Sequence, residues 1–248
     1  YAIALAASVF EWMPAVLPLP MLVIGSAVCA GVMIKQGLAR RAVVLPPGVA
    51  PALGLGVLLS VIHGVWWLAG FVGGLHGTGA MVVAWAVVLG PMVLWFSRWR
   101  LPGFVGAMTS PPERPGEREN ARAGLVVLLA IAAGLGFVLP YAVVPPGFLW
   151  ASEYGGYDAL SYHLPLAQEW YTRGWLSPVT HNVYSFLPSY FESAFVHMAA
   201  MAGSPQSAPA GSDAPRQVVV GLLAGDGRLV LSAQVLHTLT LGIAAWSV

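Results

Sequence analysis

The chain has 248 residues, of which 58% are hydrophobic and 8% charged, against roughly 45–50% and about 25% in soluble domains; an ordinary soluble globular class is excluded. The formal net charge of +1 says nothing about nucleic acid, and no Lys/Arg cluster suggests a surface for it. Cys29 is the only cysteine, which excludes a disulfide framework and a cysteine-based metal site.

Uncharged stretches long enough to cross a bilayer, about 20 residues, recur along the chain. The first runs from Trp12 to Ile34 and is closed by Lys35, Arg40 and Arg41. Pro14, Pro18 and Pro20 crowd its start, so the regular helix is expected to begin near Pro20. The next uncharged run, Ala42 to Ser97, is too long for one span. Gly73, Gly74, Gly77 and Gly79 divide it in two, at about 49–72 and 78–97. A Pro/Gly-rich loop of mixed charge, 101–122, precedes a fourth span at about 123–144. After a long polar loop, a short helix at 188–202 and a Pro/Ser/Ala spacer, a last span covers about 229–248. The expected fold is therefore all-α. It is a polytopic transmembrane helical bundle forming one domain, with an extracytoplasmic loop at 145–228 that contains short surface-lying helices. The chain starts without Met and stops inside an apolar stretch, and is read as the N-terminal piece of a longer protein.

Orientation follows from the cations. Lys35, Arg40, Arg41, Arg98, Arg100, Arg114, Arg118 and Arg122, eight of the eleven, fall in two loops on one side of this span pattern. That side is expected to be cytoplasmic and the polar loop to face out. The ratio of ten Arg to one Lys, with abundant Ala and Gly, suggests a GC-rich bacterial genome, and so a multi-pass protein of the bacterial inner membrane.

Several features have structural readings. His63 sits mid-span beside Trp66 and Trp67 and reads as a helix-packing residue before a functional one; His76 and His237 are weaker functional candidates still. Trp12, Trp95, Trp99 and Trp150 at span ends fit an aromatic belt. Gly54 and Gly56 in LGLG have neither a preceding strand nor a following Lys, so they are no phosphate loop; they read as close-packing positions between helices.

The chemistry-bearing residues concentrate in Trp150–Glu192, which holds three Glu, one Asp, two His, one Arg, six Tyr and three Trp. Within it, ALSYHLPLAQEWYTR places Leu160, Leu164, Ala167 and Tyr171 on one helical stripe and pairs Glu169 with Arg173 at i,i+4. This reads as an amphipathic helix along the membrane surface. Pro165 either kinks it or restarts it. Asp158 stands at its N-terminal end, where an N-cap is the simplest local role.

The stretch YDALSYHLPLAQEWYTRGWLSPVTHNVYSFLPSYFESAF resembles the first large outer loop of GT-C-type integral-membrane glycosyltransferases. More narrowly, it is similar to bacterial members related to protein O-mannosyltransferases and the lipid A aminoarabinose transferase. Asp158 in YDALSYHLP matches the acidic position of that loop, and NVYSFLPSYFE, with Tyr184, Pro188 and Glu192, resembles the segment leading into its second surface helix. The match covers about forty residues. It departs from the family in placing about four spans, rather than one, ahead of the loop, and the later loops of the family are not in this chain.

The resemblance implies transfer of a hexose or pentose from a polyprenyl-phosphate-linked donor to a glycan, lipid or protein acceptor on the outer face, by a fragment inactive alone. It makes Asp158 the catalytic residue, a general base on, or orienter of, the acceptor hydroxyl. Glu192 and, after it, Glu153 are candidates for a second acidic role. Tyr162, His163, His181, Tyr184 and Glu192 are the substrate-binding candidates, with hydrogen-bonded loop packing as their plain alternative. No metal and no cofactor are expected; the partners are the lipid-linked donor, the acceptor and the bilayer, without nucleic acid. A transporter or flippase, or another envelope-polysaccharide enzyme such as a polymerase or ligase, is the alternative.

Overall fold

The structure, a computed structural model, describes residues 13–46, 48–98, 162–203 and 228–247, with helical residues between 126 and 142. Asp158 and Glu153, the basic loop 101–122 and the spacer after Gly203 lie outside the described residues. The named helices are α1 (Pro18–Ala39), α2 (Val49–Leu68, continued by a 3-10 turn Ala69–Val72), α3 (Gly77–Arg98), α4 (Leu164–Arg173), α5 (Tyr190–Met201) and α6 (Arg228–Ser247). The fold is an all-α helical membrane bundle. Among the described residues, four helices are long and apolar enough to cross a membrane: Pro18–Ala39, Val49–Val72, Gly77–Arg98 and Leu229–Ser247. They make this a multi-pass membrane protein.

The local reasons for these boundaries are simple. α1 starts at Pro18, where a missing N–H costs nothing because first-turn amides have no helical partner. It runs past Lys35 to Ala39, further than the charge pattern predicts. A lysine one turn from a helix end reaches water along its own stem, so a single cation does not end a span. α2 stops where Gly73 turns into the left-handed region (φ 81°) and Gly74 donates to the Ala69 carbonyl at 2.8 Å. Pro91 sits inside α3 without breaking it, as proline does in membrane helices whose neighbours compensate the freed carbonyl.

α1 and α2 are the closest pair. A Cβ on Gly31 would fall on the Ala50 carbonyl, and one on Gly54 would fall on the Ala27 carbonyl and Gly31 backbone. The two helices thus touch backbone to backbone. Gly54 bears out half of the LGLG reading. Gly56 does not share it: a Cβ there would meet nothing within 4 Å. α6 closes the bundle beside α1, where the Ser232 hydroxyl donates to the Val16 carbonyl at 2.9 Å. Ala142, at the end of the partly described helical stretch 126–142, packs with Val16, Leu231 and Val235.

The two short helices lie outside the spans but are sunk among them. α4 has Pro165 in its first turn, follows helical backbone at Tyr162 and His163, and ends at Gly174 (φ 78°). Leu164, Ala167 and Tyr171 of the predicted stripe are buried, and so are Leu166 and Trp170; the apolar face is wider than one surface stripe. Backbone bonds from Leu75 to the Gly174 carbonyl (2.8 Å) and from Leu176 to the Trp66 carbonyl (3.1 Å) tie its C-terminal end to the turn after α2. Its N-terminal His163 shares a cavity with Gly56, Leu59 and Ser60 of mid-α2. α4 packs chiefly on α5.

α5 goes further. Every residue from Glu192 to Met201 is buried, against α2, α3, α4 and α6. One apolar core unites Ile62 and Trp66 of α2, Ala84 and Val88 of α3, Trp170 of α4, Val196 and Met198 of α5 and Leu236 of α6.

Candidate functional site

α5 carries the centre of the candidate site at its N-terminal end. Between α4 and α5, the chain is shaped by Ser185, whose hydroxyl accepts from the Val179 amide (2.8 Å) and donates to the Asn182 carbonyl (2.7 Å). Asn182 caps the following turn by accepting from the Tyr184 amide at 3.1 Å. This compact loop returns the chain so that α5 enters beside α4. Residues twenty-nine positions apart then meet: His163 Nδ1 donates to Glu192 Oε1. Tyr162 stacks on Tyr184, rings 4.0 Å apart and 18° from parallel, and packs against the His163 ring at 4.1 Å.

The pair opens onto a cavity of about 490 Å3 lined by Gly56, Leu59, Ser60, His163, Pro188, Tyr190, Phe191, Glu192 and His237. Gly56 and Ser60 come from the middle of α2 and His237 from the middle of α6. His237 is exposed to this space, with the Phe191 ring 4.4 Å away. Next to it, His63 donates from Nδ1 to Ser193 Oγ at 2.9 Å, since Ser193 gives its own proton to the Ser189 carbonyl at 2.6 Å. The Tyr190 ring lies 5.0 Å from His63. The ionisable groups thus lie at the depth of the mid-helix positions. Intramembrane ionisable residues of this kind are functional candidates by default.

Of the residues singled out from sequence, Tyr162, His163, Tyr184 and Glu192 come together here. His181 does not. Its Nε2 pairs with Glu169 Oε2 at 3.0 Å, and Glu169 also binds Arg173, whose other arm reaches Ser177 Oγ at 3.1 Å. That is a separate network on the C-terminal half of α4. Asp158 and Glu153 lie outside the described residues.

Sequence reading assigned His237 little weight and did not single out His197. His197 is fully buried: it accepts at Nδ1 from Trp66 Nε1 (3.1 Å) and donates from Nε2 to the Ala84 carbonyl (3.0 Å). Both ring nitrogens are occupied by a neutral imidazole, and burial pushes its pKa down to about 4. A signal existed in the composition: after Glu192, SAFVHMAAM is apolar on every face, which marks a buried helix. Tyr171 is held similarly, its hydroxyl donating to the Ala199 carbonyl at 3.3 Å and its pKa pushed up to about 12 by burial.

Comparison with protein-family models, curated proteins and solved structures finds no match to this chain.

Proposed function

We propose that this protein is a membrane glycosyltransferase of the bacterial inner membrane, moving a sugar from a polyprenyl-phosphate-linked donor to an acceptor hydroxyl at the outer face. One observation carries the reading. The two segments on which the GT-C resemblance rests touch in their described residues: His163 of the first pairs with Glu192 of the second at one cavity, and Tyr162 stacks on Tyr184 beside them. Segments that merely decorate a loop have no need to converge.

In this reading the Asp158 carboxylate takes the proton of the acceptor hydroxyl as its oxygen attacks the anomeric carbon. The bond from that carbon to the phosphate oxygen breaks, and polyprenyl phosphate leaves with the electron pair. Glu192, fixed by His163, accepts hydrogen bonds from sugar hydroxyls, and the stacked tyrosines offer a flat apolar face to the ring. His181, held by Glu169, is left out of this set.

The test uses the full-length protein. Asp158→Asn is expected to lower transfer turnover by about a hundredfold to ten-thousandfold. A cap alone would cost only about 0.5–2 kcal/mol of stability, and the amide keeps most of that capacity. Near-normal turnover in this variant overturns Asp158 as the base. The outer-face chemistry has its own check. Cysteines placed at Ser110 and Ser212 should be protected from and labelled by an impermeant thiol reagent in intact cells, respectively. The reverse pattern removes the outer-face donor.

A second reading, transport, has the mid-helix position of His63 and His237 in its favour. Uptake by proteoliposomes that persists in Asp158→Asn, without any sugar transfer by the parent protein, would select it.

A further inference from the structure

The turn between α4 and α5 has its residues the wrong way round for water. Its serines, Ser185 and Ser189, are buried, while Val183 is 73%, Phe186 65% and Leu187 59% exposed. No charged residue lies between Asn182 and Tyr190. A contiguous apolar patch of this kind marks a contact surface. α4, whose apolar stripe is expected from sequence to rest on the membrane, instead has Leu164, Ala167 and Tyr171 covered by protein.

Depth points to what covers the turn. Phe186 and Leu187 share the walls of a hollow of about 180 Å3 with His63 and Trp67 of α2. The span Val49–Val72 has 24 residues, about 36 Å of helix against roughly 30 Å of hydrocarbon. Trp67 stands about 8 Å inward from its Val72 end, and His63 about 14 Å. Both are below the hydrocarbon surface of a centred span, and Phe186 and Leu187 lie beside them. Trp67, Leu68 and Phe71 are themselves exposed, with the Trp67 and Phe71 rings 5.3 Å apart. The turn continues this lipid-facing surface of α2.

Non-helical backbone is tolerated at such depth where its polar groups find partners in the protein. Four amides of the turn have them at 3.1–3.2 Å: Asn182 donates to the Val179 carbonyl, Tyr184 to the Asn182 side chain, Ser185 to the Asn182 carbonyl and Leu187 to the Tyr184 carbonyl.

We propose that this turn is a membrane anchor: Val183, Phe186 and Leu187 stand among lipid chains beside Trp67 and Phe71, and the bilayer hydrocarbon is the partner of this surface. The anchor sets the level at which the chain re-enters the bundle as α5. It is independent of any reaction at the His163–Glu192 cavity.

The test uses the full chain in phosphatidylcholine nanodiscs, with Cys29→Ala removing the native thiol. Nitroxide labels are attached in turn at Val183→Cys, Phe186→Cys and Leu187→Cys. Val82→Cys, exposed on α3 near its Gly77 end, is the lipid reference, and His76→Cys, exposed in the turn between α2 and α3, is the water reference. Collision with oxygen, which dissolves in hydrocarbon, is compared with collision with a neutral polar nickel chelate, which does not. The oxygen-to-nickel ratio at the three turn positions should match that of Val82→Cys. It should exceed that of His76→Cys by about tenfold, because a polar solute partitions poorly into hydrocarbon.

A ratio at Phe186→Cys and Leu187→Cys equal to that of His76→Cys makes the turn the wall of a wet cleft and overturns the anchor. Poor access to both colliders, with spin–spin broadening, gives the surface to a second copy of the chain and overturns it as well. Sugar transfer plays no part in either readout. A lipid-like ratio in a protein that transfers no sugar keeps the anchor and removes the transferase, whereas a transferase with a water-like ratio loses the anchor alone.

Discussion

The two ends of α5 hold the same chemistry in opposite conditions. At the C-terminal end, His197 is sealed among Trp66, Ala84 and Met198, with both nitrogens occupied. The Trp85 indole closes that end by donating to the Met201 carbonyl at 3.0 Å. At the N-terminal end, Glu192 meets His163 at the wall of an open cavity that His237 also faces. One helix therefore carries a finished polar lock and an unfinished polar site five residues apart. A saturated buried polar group has nothing left to offer a ligand and serves to fix packing. Polar groups left with spare capacity beside a void are where binding is to be sought. α2 repeats the contrast in its glycines, with Gly54 closed and Gly56 open.

The contrast is broken most forcefully on its closed side. Gly54→Ala puts a methyl onto the α1 backbone, and overpacking of this kind should destabilise the protein by about 3 kcal/mol, read as a lower unfolding midpoint in detergent. A stable Gly54→Ala would remove the close approach of α1 and α2.

His197→Leu comes next. It strands the Trp66 indole N–H in the core, at about 1–3 kcal/mol, whereas the Ala84 carbonyl keeps its acceptor role within α3. It should also change the pH dependence. The folded His197 stays neutral down to about 4, while the unfolded side chain takes up its proton near 6.5. Below that upper value the unfolded state binds a proton that the folded state refuses, so stability is complete above it and falls as pH drops towards 4. The loss is on the order of 3 kcal/mol at the bottom of that window. Unfolding measured from pH 7 to pH 4 should show this slope in the parent and lose it in His197→Leu. Equal slopes would mean that His197 is not sealed.

On the open side the effect moves from stability to function. Glu192→Gln keeps shape and loses charge, and should reduce transfer by about tenfold to a hundredfold, the range of a charge-assisted hydrogen bond. Its unfolding midpoint should stay close to that of the parent, since the cavity hydrates what the pair releases. A large stability loss with intact turnover would make Glu192 another lock. The smallest effect is Gly56→Ala, where open space and the better helix propensity of Ala should give a gain of about 0.5–1 kcal/mol.

Much of the fold was legible because spans are a property of composition. The split at Gly73 and the start and end of α2, α3 and α6 follow from runs of uncharged residues and turn-forming glycines. Pro165 announced the first turn of α4. The site was legible only in part. Tyr162, His163, Tyr184 and Glu192 were named from their own loop, since polar residues in an apolar chain stand out without any knowledge of contacts. His237 was given little weight and Gly56 was read as a packing position, because each looks like filler until α2 and α6 are brought beside α5. His181 sits apart from them for the same reason in reverse: a neighbour on α4, Glu169, pairs with it.

The burial of α5 also bears on how the protein is made. Twelve residues of helix extend about 18 Å, short of the roughly 30 Å hydrocarbon thickness, and the segment contains Glu192 and His197. It cannot be threaded into the bilayer as a span during synthesis. Its seat is walled by α2 and α3, made before it, and by α6, made after it. Membrane insertion of the long helices and the docking of α5 are thus separate events, and the second waits for the ribosome to finish α6. The His163–Glu192 contact, which depends on α5 being seated, is among the last features of the molecule to form.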